Sequence, residues 1–119
     1  MLKRASELRW EHSPNHKGGK GTCHILNVLE PEEMHGTGRC YAVSVLPAGA
    51  SIGKHFHTGD FETYYILKGR ARYNDNGNIV EIGPGDMVHC PDGGFHAIEN
   101  IGEGDLEYFT SILYTETRK

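Results

Sequence analysis

Gly, Pro or Asn stands at nearly every break between the apolar runs of this chain, and no run carries a sustained helical period. Glycine alone accounts for 16 of 119 residues, nearly twice its usual share of about 7 %. The runs between the breaks carry a period of two. Arg39 to Leu46 alternates, with Tyr41, Val43 and Val45 on one face and Cys40, Ala42, Ser44 and Leu46 on the other. Both faces are fairly apolar, so this strand is expected to be covered on both sides. Glu62 to Leu67 is the clearest strand. Arg70 to Tyr73 and Ile79 to Ile82 flank Asn74-Asp75-Asn76-Gly77-Asn78, a hairpin turn in which Asn-Gly supplies positive φ. Thr22 to Leu29, Met87 to Cys90, His96 to Asn100 and Leu106 to Thr115 complete the set. An all-β fold follows, an antiparallel sandwich or small barrel. The helical candidates are short, residues 5–11 and residues 31–35.

One stretch stands out for chemistry. His55 and His57 are two apart, so on an extended strand both imidazoles lie on one face. Glu62 follows beyond Gly59 and Asp60, which can bend the chain back. His96, after Pro91-Asp92-Gly93-Gly94-Phe95, offers a third imidazole. Three imidazoles and a carboxylate suit a divalent transition metal such as Mn, Fe, Co, Ni or Zn. An HxH pair alone is weak evidence, since a strand histidine is more often a surface or hydrogen-bonded residue.

A chain of 119 residues holds one domain and one core. A net charge of -4 argues against nucleic acid or an anionic membrane as the main partner. No apolar run approaches the roughly 20 residues of a membrane span, and the N-terminus has no apolar signal region, so a cytoplasmic location is expected. Cys23, Cys40 and Cys90 read as small buried thiols in a reducing compartment. Residues 1–21 are too polar to fold alone and form an N-terminal arm; residues 22–119 form the β domain. Trp10, the one tryptophan, is expected to dock on its own domain or on a second subunit. The His16-Lys17-Gly18-Gly19-Lys20-Gly21 segment lacks the order of a phosphate loop and reads as a solvated loop.

Gly49 to Gly69 has the spacing G-x5-H-x-H-x4-E-x6-G, and Gly85 to Asn100 has G-x5-P-x-G-x2-H-x3-N. At every position named, these resemble the two signature motifs of the cupin superfamily. The motifs and the hairpin between them cover residues 49–100. The resemblance implies a jelly-roll β-barrel, a small single-domain cupin, with His55, His57, Glu62 and His96 converging inside as metal ligands. It also implies a homodimer formed through outer strands or exchanged terminal segments. Asn100 is expected to fix a turn.

Four protein ligands on a metal that prefers six leave two positions for a bidentate oxygen anion such as a hydroxy, keto or sugar acid. Mn or Fe is the expected metal, with Ni, Co or Zn as alternatives; Zn fits least, because four ligands already complete its tetrahedron. The resulting expectation is a metal-dependent enzyme on a small anionic substrate: an isomerase, lyase or decarboxylase, or a dioxygenase with Fe. The alternative is a non-catalytic sugar- or carboxylate-binding module; a storage barrel with an incidental metal is a third. Tyr64 shares the strand parity of Glu62 and is a candidate acid or hydrogen-bond donor, or barrel filler. His89, grouped with Met87, is a candidate base or a surface residue. Lys54 is expected at the rim. Phe56, Phe61, Phe95 and Phe109 are candidates for pocket wall or core. His12, His16, His24 and His35 lack ligand spacing and read as non-ligands.

Overall fold

A computed structural model describes residues 1–116; the final residues of the expected domain, 117–119, lie outside the described residues. Ten antiparallel strands make up the fold: β1 (Arg9–Pro14), β2 (Thr22–Asn27), β3 (Gly38–Leu46), β4 (Ser51–Phe56), β5 (Asp60–Lys68), β6 (Ala71–Asp75), β7 (Asn78–Ile82), β8 (Met87–Cys90), β9 (Phe95–Asn100) and β10 (Leu106–Tyr114). They form a six-stranded sheet, β1-β2-β3-β10-β5-β8, and a four-stranded sheet, β4-β9-β6-β7. The two sheets face one another as a jelly roll. Alternate side chains meet between them, with Leu46, Ile66, Tyr73, Ile98, Leu106 and Tyr108 fully buried. The expected hairpin is present: Asn76 and Gly77 both take positive φ between β6 and β7. Asn100 fixes a turn as expected, donating from Nδ2 to the carbonyls of Leu46 and Gly104 and accepting from the Gly102 amide.

Three expectations need correction. Residues 5–11 are not a helix: one 3₁₀ turn, Ala5–Glu7, precedes β1, which pairs with β2 from Arg9↔Asn27 to Pro14↔Thr22. An edge strand buries little, so its polar sequence hides it. Strand β3 is not covered on both sides within the chain. Its Ala42, Ser44 and Leu46 face inward, while Tyr41, Val43 and Val45 face outward and stay partly open. The His16–Gly21 segment is not a free solvated loop. It folds on itself, the Asn15 amide donating to the Gly21 carbonyl and Asn15 Nδ2 to the Gly19 carbonyl. It also docks on β4, where the Lys20 amide donates to Ser51 Oγ and the Ser51 amide to the Lys20 carbonyl. Gly19 and Gly53 permit this approach: a Cβ at Gly19 would overlap the Ser51 carbonyl oxygen, and one at Gly53 that of Lys17.

The outer face of the larger sheet carries a continuous apolar row. Trp10 pairs with Leu26, Leu26 with Val43, Val43 with Phe109, Phe109 with Tyr65, and Tyr65 with Met87, crossing all six strands. Trp10 is 47 % exposed, Tyr65 46 % and Met87 60 %.

Candidate metal centre

His55, His57, Glu62 and His96 come together inside the jelly roll, each offering a ligand atom, and these atoms lie within 4.8 Å of one another. His55 on β4 stands directly opposite His96 on β9. Ile52 and His55 both point inward although they are three apart, which a regular strand forbids. The β4–β9 register shifts between them, and this bulge at Gly53-Lys54 turns His55 inward. His57 follows β4 and is held by the Gly93-Gly94 turn: its amide donates to the Gly94 carbonyl, and its carbonyl accepts from the Gly93 amide. Glu62 reaches the cluster from β5 in the opposite sheet.

Each imidazole is locked through Nδ1. Nδ1–H of His55 donates to the Gly53 carbonyl at 2.8 Å, and that of His57 to Asp60 Oδ1 at 2.7 Å. The Tyr73 hydroxyl, 2.8 Å from Nδ1 of His96, is placed to accept in the same sense. With its proton on Nδ1, a neutral imidazole presents a lone pair at Nε2. The three Nε2 atoms converge: His96 to His55 is 3.0 Å, and His96 to His57 is 3.2 Å. Glu62 Oε1 lies 2.9 Å from Nε2 of His96, 3.0 Å from that of His57 and 3.7 Å from that of His55. Three lone pairs and a carboxylate oxygen facing one another repel unless a cation, a shared proton or a metal ion, lies among them. Edges near 3 Å are those between cis ligands on a cation with bonds of about 2.1 Å. The donor set therefore fits a divalent metal.

The surroundings complete the preparation. Asp60 also accepts from Arg39 Nε at 2.9 Å, and Thr110 donates to Glu62 Oε2 at 2.8 Å. Burial pushes the Glu62 carboxyl up, but without a metal it holds protons among the Nε2 atoms, and the resulting hydrogen bonds from His55, His57 and His96 keep it well below the usual carboxylate range. Burial pulls His57 down, yet its bonds to Glu62 and Asp60 leave it raised. Burial dominates at His96, which is lowered.

A cavity of about 200 Å³ opens beside the cluster, room for about six waters or one small organic anion. Its lining includes Glu11 from β1, His16 and Lys17 from the docked loop, Arg39, Tyr64 and Tyr108. The sequence-predicted Tyr64 is thus beside the site. Its hydroxyl is 3.3 Å from Glu62 Oε1, and its ring stacks on His96. Burial, then the Glu62 charge, pushes the phenol well above its ordinary pKa, so it is a donor and not a base. His89 is not brought to the site. It lies on the outer face of β8 with Met87, its Nδ1 3.1 Å from Thr63 Oγ1 and its ring against Phe61. On so short a strand the inward pair is Val88 and Cys90, not Met87 and His89. Phe56, Phe61, Phe95 and Phe109 neither line the cavity nor lie fully buried. Lys54 is exposed, over the Phe95 ring. Asp60 and Tyr73 were missed. Both share inward strand parity, Asp60 with Glu62, which is the signal that could have found them.

The family profile described as "Cupin domain" matches residues 42–112. The chain is 42 % identical over 113 residues to an oxalate-binding protein of Thermotoga maritima, spanning 95 % of this chain and 93 % of that one. It is similar to the crystal structure of a predicted oxalate decarboxylase from the same organism, with TM-score 0.90, 42 % identity and coverage of 96 % and 99 %. A polyketide cyclase from Streptomyces resistomycificus shares the fold at TM-score 0.73 and 18 % identity, covering 100 % of this chain and 83 % of the other.

Proposed function

The chain belongs to the cupin domain family, and on that premise we propose that it holds a divalent metal at His55, His57, Glu62 and His96 and binds a small bidentate oxygen anion of the oxalate class beside it. The observation that carries this is the locking of every Nδ1, which aims the Nε2 lone pairs and Glu62 at one point on the wall of a small cavity. Neutral imidazoles and one carboxylate leave a divalent centre with net positive charge, which favours an anion. Arg39 and Lys17 on the cavity lining add to that field. Oxalate enters through the name of the 42 % identical relative. Mn or Fe is the proposed ion, because both accept oxygen ligands beyond four protein donors. When bound, it would supply Lewis-acid polarisation of the ligand's oxygens.

Turnover is the second reading, favoured by the predicted decarboxylase among the solved relatives. Against it stand the engaged proton carriers. Glu11 is tied to Arg9 and Asn27, and the Tyr64 phenol keeps its proton. Calorimetric titration of oxalate into Mn-loaded protein tests the first reading, and carbon dioxide and formate assays on the same sample separate the second. Oxalate binding without product supports the binding module; neither binding nor product removes both.

The apolar row on the outer sheet suits a second copy of the chain. Six strands about 4.8 Å apart and about six residues long present on the order of 600 Å² per copy, the lower bound of a stable interface. Two such faces packed about a two-fold axis would cover β3 on its open side. Among the described residues no helix is long and apolar enough to cross a membrane. The thiols are free, which suits the proposed cytoplasmic location.

A further inference from the structure

Two polar atoms on the cavity lining have no hydrogen-bond partner among the described residues. Tyr108 is fully buried on β10, at 0 % exposure, and its hydroxyl has no hydrogen-bond partner among the described residues. Ser44 is close enough to act on it, lowering a pKa that burial first raises, yet no hydrogen bond of ordinary geometry joins the two. An unpaired buried hydroxyl is unfavourable and rare in native interiors. It is tolerated where something enters to satisfy it, and Tyr108 lines the same cavity as His55, His57 and Glu62. The second group is His16. Its Nδ1 is 2.8 Å from Ser13 Oγ, which leaves Nε2 without a partner among the described residues. His16 is half-buried on the same lining, held there by the loop that docks through Gly19 and Gly53. With His16 and Lys17 both on the lining, that loop forms one side of the cavity, its roof.

We propose that Tyr108 and His16 are ligand-contacting residues, the Tyr108 hydroxyl from the wall and the His16 Nε2–H from the roof donating to oxygens of the anion. This assignment rests on the oxalate-class reading and deepens it. Two donors set apart from the metal cluster select an anion with oxygens at both ends over a monocarboxylate. In this assignment Ser13 positions the ring: a hydroxyl donating to Nδ1 at 2.8 Å leaves the proton on Nε2. Burial lowers the His16 pKa, so at neutral pH the ring is the neutral form that this pairing requires.

The test compares wild type, Tyr108→Phe, His16→Ala and His16→Gln, each Mn-loaded, by metal content, oxalate titration and thermal unfolding of the metal-free form. Tyr108→Phe is expected to weaken oxalate about 10-fold and His16→Ala about 10- to 100-fold, with metal content unchanged. Acetate affinity is expected to move much less. His16→Gln, which keeps a donor near the Nε2 position and guards against misfolding of the alanine variant, should recover part of the loss. Tyr108→Phe must also leave the metal-free melting temperature equal or higher, because it deletes an unpaired hydroxyl. Unchanged oxalate affinity in both variants overturns the assignment and leaves the oxalate reading standing. A melting temperature lowered in Tyr108→Phe shows that Ser44 satisfies the hydroxyl and removes Tyr108. A wild-type protein that retains metal but binds no oxalate overturns the reading and the assignment together.

Discussion

Asp60 Oδ1 lies 2.7 Å from Nδ1 of His57, three residues before it, and Asp60 Oδ2 accepts from Arg39 Nε at 2.9 Å. The carboxylate fixes which imidazole nitrogen keeps its proton, and Arg39 fixes the carboxylate. Asp60 is therefore a positioning residue for the cluster. Asp60→Ala is expected to lower metal affinity about 10- to 100-fold without removing a ligand. Competition against a chromogenic chelator measures this; equal affinity in the variant would show that the Asp60 contact is dispensable.

The cluster is repulsive without a cation, so the metal should stabilise the fold. Stripping it with a chelator is expected to lower the melting temperature, and readdition to restore it in proportion to free ion over its dissociation constant. Glu62→Gln, which removes the one formal charge among the four donors, should lose most of that metal-dependent shift. A chelator-insensitive melting temperature in wild type would contradict a bound structural role.

The three thiols are held as thiols. Burial pushes Cys23 up to about 11, Cys40 to about 12 and Cys90 to about 11. Raised pKa values leave on the order of one thiolate in a thousand or fewer at pH 8. Reaction with a disulfide reagent is expected to be slow in the native protein, faster as pH rises, and complete in guanidinium. Rapid labelling of native protein at pH 8 would place these thiols elsewhere.

Phe109 sits mid-row on the outer face of the larger sheet, between Val43 and Tyr65. Phe109→Glu is expected to convert the proposed dimer to monomer in sedimentation, and to red-shift Trp10 emission as the row becomes solvated. A wild type that sediments as a monomer at high concentration would sink the face-to-face proposal.

Gly53 links the roof to the cluster. Its missing Cβ admits the Lys17 carbonyl, and its own carbonyl accepts from His55. Gly53→Ala is expected to cost about 1–3 kcal/mol, read as a fall of several degrees in melting temperature. Unchanged stability would mean that the roof shifts freely.

Much of this was legible in the residues. The two-residue period gave most strands, and Asn76-Gly77 gave the hairpin. His55, His57, Glu62 and His96 were marked as ligands by the resemblance of their spacing to the cupin motifs, and the four come together. What escaped has physical causes. His55 was expected inside and lies there, but the bulge that turns it inward was not legible, since alternation gives Ile52 and His55 opposite parity on a regular strand. His89 was left open between base and surface residue because the four-residue β8 is too short for its alternation to declare an inside, and the surface alternative is the one observed. Strand β1 was hidden because its exposed edge demands no apolar face. His16 lies nearly forty residues from the first ligand, and only the glycine contact of the arm with β4 brings it over the cavity.

The most direct measurement of the central claim is elemental analysis of the purified protein, before and after reconstitution with Mn, Fe, Co, Ni or Zn, beside His96→Ala. One tightly held ion per chain in wild type, and almost none in the variant, is the predicted result. Wild-type protein that retains no ion after reconstitution, or a variant that retains as much, would contradict a metal centre at His55, His57, Glu62 and His96.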